Sequence, residues 1–117
     1  MLRLPEGTRI YVAARAVDFR KAINGLVAVV VEQFECPVND GTVYVFYNRS
    51  CNRVKCLFWD KNGFVLYQKR LERGRFKFST LDRTDYVITQ PQLDWLIAGL
   101  DFKLMHEFPE LDFTHYF

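Results

Sequence analysis

Basic and aromatic side chains are interleaved in one stretch of the chain, residues 49 to 77. The stretch contains nine Lys and Arg residues but only two acids, Asp60 and Glu72. Cationic side chains can pair with the phosphates of a nucleic acid, and aromatic rings can stack on its bases or sugars. With two basic residues from further upstream, the candidate nucleic-acid-binding residues are Arg20, Lys21, Arg53, Lys55, Trp59, Lys69, Arg70, Arg73 and Arg75. The same pattern also fits an ordinary pair of strands with a solvated face.

Charge is unevenly distributed along the chain. Residues 1–77 carry 14 Lys and Arg against 7 Asp and Glu, whereas residues 78–117 carry 2 against 7. A basic body followed by an acidic segment hints at a nucleic-acid partner, or at a tail that covers the basic surface. The alternative is that both halves are simply solvated.

Length and composition restrict the class of protein. A chain of 117 residues, half of them apolar, can bury a core as one domain. The three cysteines, Cys36, Cys51 and Cys56, form no CxxC pair, so neither a zinc framework nor disulfides are expected. No apolar run reaches the length of a membrane span. We therefore expect a cytoplasmic protein without metal, cofactor or membrane association.

Periodicity predicts the strands that must position the basic residues. Two apolar runs around Asp-Lys-Asn-Gly predict a hairpin with strands at 53–60 and 64–71. Further strands are predicted at 9–14, 42–47 and 86–88, and residues 76–78 are candidates for extending the sheet. A first helix is predicted to begin after a cap at Asp18 and to run to about Glu35.

The second helix has clear signals at both ends. Thr89 is predicted as its cap, Gln92 as its partner in a capping box, and Gly99 as its stop.

Together the elements predict an α+β fold in one domain, a mainly antiparallel sheet of about five strands with two helices packed on one face. We assign residues 1–102 to this domain. Residues 103–117 form an acidic, aromatic tail. We expect residues 100–117 to dock on a sheet or hairpin surface of this chain or of a neighbouring copy, and the second case would give a homo-oligomer.

The register of the hairpin stays open at this stage. A three-residue loop would place Lys55 opposite Lys69, which is costly unless an anion lies between them. A two-residue loop at 62–63 would place Arg53 opposite Glu72 instead. In either case we expect one contiguous positive surface formed by Lys55, Lys69, Arg70, Arg73 and Arg75.

Three stretches of the chain resemble a known family. Residues 17–21 and 24–26 read Val-Asp-Phe-Arg-Lys and Asn-Gly-Leu, residues 53–76 carry the most distinctive block, and residues 89–99 match a C-terminal helix. On these stretches the chain resembles the TnpB accessory proteins, which are encoded by the second reading frame of insertion sequences of the IS(66) group. The resemblance covers about residues 8–102. Asn24 and Asn52 depart from it, since the family commonly has aspartate at both positions.

The resemblance implies a role in transposition beside a separate transposase. The expected partners are DNA from the ends of the element, the transposase and other element-encoded proteins. Two interpretations stay open. One is an accessory protein that contacts DNA through the basic and aromatic hairpin, and the other is a protein-assembly module that binds the transposase or another accessory protein without touching DNA.

Enzymatic activity is not expected. Asp18, Asp60 and Glu72 are the candidates for the carboxylates that two-metal transposases use. Each has a structural interpretation instead: Asp18 as a helix cap, Asp60 as the first residue of a turn, and Glu72 as the partner of a neighbouring arginine. No nucleophile–base pair and no metal-ligand spacing is recognisable in the sequence.

Overall fold

The computed structural model describes residues 3–33, 38–78 and 86–101. Along the chain the elements are β1 (Ile10–Val12), α1 (Ile23–Gln33), β2 (Val43–Tyr47), β3 (Arg53–Asp60), β4 (Gly63–Arg70), β5 (Tyr86–Ile88) and α2 (Gln90–Ile97). Of residues 100–117, which are predicted to dock, the structure describes Leu100 and Asp101, so the predicted docking of the tail lies outside the described residues. Neither helix in the described ranges combines the length and the apolar character needed to cross a membrane.

The five strands form one sheet in the order β4-β3-β2-β1-β5. Strands β1 and β2 are parallel, with Ile10 opposite Val43, and every other neighbouring pair is antiparallel. A parallel pair needs a crossover connection, and α1 lies within it. The predicted α+β fold, a mostly antiparallel sheet of five strands with two helices, is confirmed.

The two helices cover opposite faces of the sheet. Along β2, Val43, Val45 and Tyr47 belong to the apolar cluster that includes residues of α2. Tyr44 and Phe46 belong to the cluster that includes residues of α1. All five residues of β2 are buried because both faces of the strand are covered. The expectation that both helices pack on one face is therefore wrong.

The α2 side of the core contains the segment that follows the hairpin. Phe76 and Phe78 are buried in the cluster with Leu93 and Leu96, and the Phe78 ring stacks on Tyr47 with centroids 4.6 Å apart. Residues 76–78 therefore supply core side chains and do not extend the sheet as a strand.

The predicted ends of α2 are confirmed. Thr89 accepts a hydrogen bond from the Gln92 backbone N–H, and the Gln92 side chain accepts one from the Thr89 N–H, which forms a capping box. Gly99 follows with φ of +81°, a left-handed conformation that glycine adopts at low cost.

The hairpin has a register that differs from both predicted alternatives. Asp60 lies opposite Gly63, so the turn consists of Lys61 and Asn62. Leu57 then faces Leu66, and Trp59 faces Phe64, on the side covered by α1. The three-residue loop would shift this pairing by one residue and move the apolar side chains of β4 to its other face, so burial disfavours that loop. The Asn-Gly turn would shift the pairing by two residues and place Leu57 opposite Gln68 instead of Leu66.

Candidate nucleic-acid interface

The open end of the hairpin has an arginine on each strand. Arg53 lies directly opposite Arg70, and both side chains are exposed. Like charges on facing positions repel each other unless an anion compensates them. Arg70 is compensated by Glu72, 2.9 Å away, which confirms the prediction that Glu72 partners a neighbouring arginine. Among the described residues, Arg53 forms no ion pair, so its guanidinium is available to an external anion.

The loop between β2 and β3 is organised by the side chain of Asn48. Its Oδ1 accepts hydrogen bonds from the backbone N–H groups of Asn52, at 3.1 Å, and Arg53, at 3.0 Å. Its Nδ2 donates to the Asn52 side-chain oxygen at 2.6 Å. These hydrogen bonds pair polar groups of the loop with one another and so stabilise its turn. Arg49 and Ser50 lie exposed at the tip of the loop. Neither Asn48 nor Arg49 was predicted as a site residue from the sequence.

The segment after β4 returns to the same end of the sheet. The Leu71 N–H donates to the Asn52 carbonyl at 2.8 Å, and the Phe76 N–H donates to the Cys51 carbonyl at 2.7 Å. Burial of Phe76 secures the second of these contacts. Arg73 and Arg75 lie between the two contacts with exposed side chains, so they belong to the same end of the molecule as Arg53.

A short turn before α1 completes this end of the sheet. The Val17 N–H donates to the carbonyl of Tyr47, at the end of β2, over 2.9 Å. The Asp18 carbonyl then accepts from the Lys21 N–H at 3.1 Å, and Asp18 Oδ1 accepts from the Arg20 N–H at 2.9 Å. Helix α1 begins only at Ile23, so the prediction that Asp18 caps it is wrong. Its side chain instead stabilises a turn, which is the competing use of aspartate near a helix start.

The guanidinium of Arg20 is held in place but remains open to solvent. It donates to Asp18 Oδ2 through Nε at 2.9 Å and through a terminal nitrogen at 2.6 Å. The hydrogen bond from the Arg20 side chain, together with that from its backbone, lowers the pKa of Asp18 to about 2. The Arg20 side chain is still 91% exposed, so its outer edge can meet a ligand.

Lys55 and Lys69 do not join a common positive surface. Lys55 is buried on the α1 side, where its Nζ donates to the carbonyls of Lys21, at 2.9 Å, and Phe19, at 3.2 Å. Burial and the nearby charge of Arg53 lower the pKa of Lys55. Lys69 lies on the opposite face of the sheet, where its Nζ donates to the Ile97 carbonyl at the end of α2 over 2.9 Å. The prediction of one contiguous positive surface that includes both lysines is therefore wrong.

Trp59 lies near the turn of the hairpin, far from the arginines. It lies six positions after Arg53 along β3, which corresponds to about 20 Å. Its half-buried ring packs edge-on against Phe64 with centroids 5.0 Å apart. A base stacked on Trp59 would therefore not lie beside the arginines of the open end.

Seven exposed basic residues gather where the turn before α1, the β2–β3 loop and the open end of the hairpin meet. We call this surface the basic end, and it consists of Arg20, Lys21, Arg49, Arg53, Arg70, Arg73 and Arg75. Within the described part of the chain, Asp18 and Glu72 are the acids that pair with its members. An open cleft of about 480 Å³ lies within it, with Arg20, Arg49 and Arg53 in its lining. Guanidinium groups around an open cleft suit phosphate oxygens, which they can bind in a bidentate manner.

The carboxylates considered for catalysis are not brought together. Asp18 and Glu72 lie at the basic end, each paired with an arginine, whereas Asp60 lies at the turn of the hairpin. Two-metal chemistry requires acids around ions about 4 Å apart. Within residues 3–33, 38–78 and 86–101, no three His, Cys, Asp or Glu side chains lie close enough together to hold a metal ion.

Comparison with known proteins identifies the family. The model of the family described as IS66 Orf2-like protein matches residues 8–107. The chain belongs to this family of insertion-sequence accessory proteins. It is 35% identical to the uncharacterized protein y4jC of Sinorhizobium fredii (strain NGR234), over 93% of each chain. It is also 31% identical to the uncharacterized protein y4hO of the same strain, over 88% of this chain and 90% of the relative. No solved structure matches the chain significantly.

Proposed function

We propose that this IS66 Orf2-like protein is a non-catalytic accessory protein in transposition that contacts DNA through its basic end. The observation that supports the proposal is the meeting of seven exposed cations from three separate segments at one end of the sheet. Within the described ranges, two acids pair with them. Phosphate contacts supply most of the sequence-independent affinity of a protein for DNA, so this surface is the part of the described chain best suited to the task.

The kind of contact follows from the side chains. The basic end consists of six arginines and one lysine, and arginine favours bidentate hydrogen bonds to phosphate. Among the described residues, no fully exposed aromatic ring lies between them, and Trp59 lies about 20 Å away along β3. We therefore propose recognition of the phosphate backbone, with the bases contributing little. Binding of this type orients a protein on DNA without reading sequence.

A charge-matched pair of double variants tests the proposal. Arg49→Ala/Arg53→Ala removes two cations from the cleft, whereas Arg3→Ala/Lys61→Ala removes two exposed cations elsewhere. Affinity for duplex DNA from the element's ends is measured by fluorescence anisotropy over a series of salt concentrations. The cleft variant should bind more weakly, and its log–log salt slope should be shallower by about 0.9 for each phosphate that it no longer neutralises. Equal weakening by both variants would refute a localised site.

Assembly with another protein is the second candidate function, and one observation favours it. On the outer side of α1, Val31 is 56% exposed and Ala28 is exposed as well, whereas the solvent side of a surface helix is usually charged or polar. In this alternative the transposase covers α1 and the protein does not touch DNA. Val31→Lys should then abolish co-purification with the transposase, while the parent protein shows no affinity for duplex DNA.

A further inference from the structure

We propose that Lys55 is a positioning residue: it holds the turn at residues 17–21 against the sheet and so presents Arg20 and Lys21 to DNA phosphates. The inference rests on the proposed function, because it assigns a role within the basic end. Lys55 itself is too enclosed for a phosphate contact, since only 6% of its surface is exposed.

The contacts of Lys55 join two parts of the chain that are far apart in sequence. Its Nζ donates to the carbonyls of Phe19 and Lys21, which lie 36 and 34 residues away. The same ammonium lies 4.8 Å from the centroid of the Phe19 ring, within the range of a cation–π interaction. These two carbonyls flank Arg20 on either side. The ammonium therefore fixes the backbone of the residue whose guanidinium lines the cleft.

Few other hydrogen bonds within the described ranges attach this turn to the sheet. The Val17 N–H donates to the Tyr47 carbonyl at its start, and the Asp18–Arg20 pair is internal to the turn. Without Lys55, the partly buried carbonyls of Phe19 and Lys21 would lose the charged group that donates hydrogen bonds to them. A buried acceptor without a partner is unfavourable, so the turn would move toward water to satisfy it.

The chain offers a matched control in Lys69. Its ammonium also donates to a backbone carbonyl, that of Ile97 at 2.9 Å, but on the other face of the sheet and away from the cleft. Lys55→Met and Lys69→Met thus each remove one charge and an ammonium that donates to backbone carbonyl oxygen. Only the first is expected to change the basic end. Lys55→Gln, which retains a donor, serves as a milder variant if Lys55→Met folds poorly.

Two measurements on the full-length chain test the inference. The first is limited trypsin digestion with mass spectrometry, which reports cleavage after Arg20 and Lys21 without any DNA. Lys55→Met should be cleaved there several-fold faster than the parent and than Lys69→Met. The second is the affinity for duplex DNA, which should fall several-fold in Lys55→Met, because the turn that carries Arg20 and Lys21 is no longer held in its binding conformation. In the Arg20→Ala/Lys21→Ala background, Lys55→Met should cause no further decrease.

Each outcome has a defined meaning. Unchanged cleavage in a folded Lys55→Met protein overturns the anchoring role whatever happens with DNA. Faster cleavage with unchanged affinity overturns the positioning role, and the proposed function still stands if Arg49→Ala/Arg53→Ala weakens binding. An additive decrease in the Arg20→Ala/Lys21→Ala background means that Lys55 contacts DNA directly, which also overturns the inference. A parent protein without DNA affinity refutes the proposed function and this inference with it, even if cleavage accelerates.

Discussion

Arginine and lysine have different roles in this protein at the scale of single residues. The exposed guanidinium groups of Arg20 and Arg53 border the cleft, whereas the ammonium groups of Lys55 and Lys69 donate to backbone carbonyls within the fold. The difference follows from their chemistry, because a compact ammonium on a flexible stem can reach a carbonyl and a planar guanidinium matches a phosphate. Exchanging the two residue types should therefore not be neutral at these positions.

The ion pair between Asp18 and Arg20 leads to a prediction about pH. Hydrogen bonds from Arg20 lower the pKa of Asp18 from 3.8 to about 2. Because the folded-state pKa lies below the ordinary value, the stabilisation by this pair is fully present above pH 3.8 and is lost as pH falls through about 2. A carbon-detected NMR titration of the Asp18 carboxyl should have its midpoint near 2, and Arg20→Ala should move it back toward 3.8. A midpoint near 3.8 in the parent protein would show that the pair does not persist in solution.

At the scale of elements, local sequence signals predicted the type and bounds of most helices and strands, but not which face of the sheet each helix covers. Apolar runs predicted β2, β3 and β4 to within a residue, and the capping pattern at Thr89 predicted the start of α2. Periodicity does not specify which face of a sheet a helix covers, so the opposite placement of α1 and α2 was not predicted. The crossover between β1 and β2 depends on a parallel pairing that is non-local.

The candidate site was only partly predictable for the same reason. Arg53, Arg70, Arg73 and Arg75 were predicted from the density of charge at residues 49–77, and Arg20 was added from further upstream. The structure brings all five to one end. Lys55 looked like an exposed strand cation, because the carbonyls that bind it lie more than 30 residues away in sequence. Trp59 was grouped with the arginines by sequence proximity, although an eight-residue strand places its two ends far apart.

The turn of the hairpin gives a prediction about stability. Lys61 has φ of +53°, a left-handed conformation that costs a residue with a Cβ about 1–2 kcal/mol. Lys61→Gly should remove this strain and raise the free energy of unfolding by about 0.5–1 kcal/mol, after allowance for the greater backbone entropy of unfolded glycine. Asn62→Gly is the control, since φ of Asn62 is not positive, and it should not stabilise the protein. Urea denaturation measures both, and a destabilised Lys61→Gly would argue against this turn.

At the scale of the whole molecule, the two ends of the sheet differ in chemistry. One end carries the seven cations and the cleft, and the other carries the hairpin turn with Trp59 and Asp60. Such an arrangement favours one orientation of the protein on a polyanion, with the turn end directed away from it. If the basic end binds DNA as we propose, any contacts with other proteins are expected at the turn end and on the outer side of α1.

The most direct test of the central claim is to map where DNA touches the protein. In an NMR titration of the isotope-labelled full-length chain with a short duplex from the element's end, backbone and arginine side-chain resonances report each contact. The proposal predicts shifts at residues 17–21, 48–53 and 70–75, which diminish as salt is raised. The amides of 59–64, at the turn of the hairpin, should remain unchanged and serve as an internal control. Shifts concentrated at the turn or on α1, or no shifts at low salt, would contradict the assignment of the basic end as the DNA-binding surface.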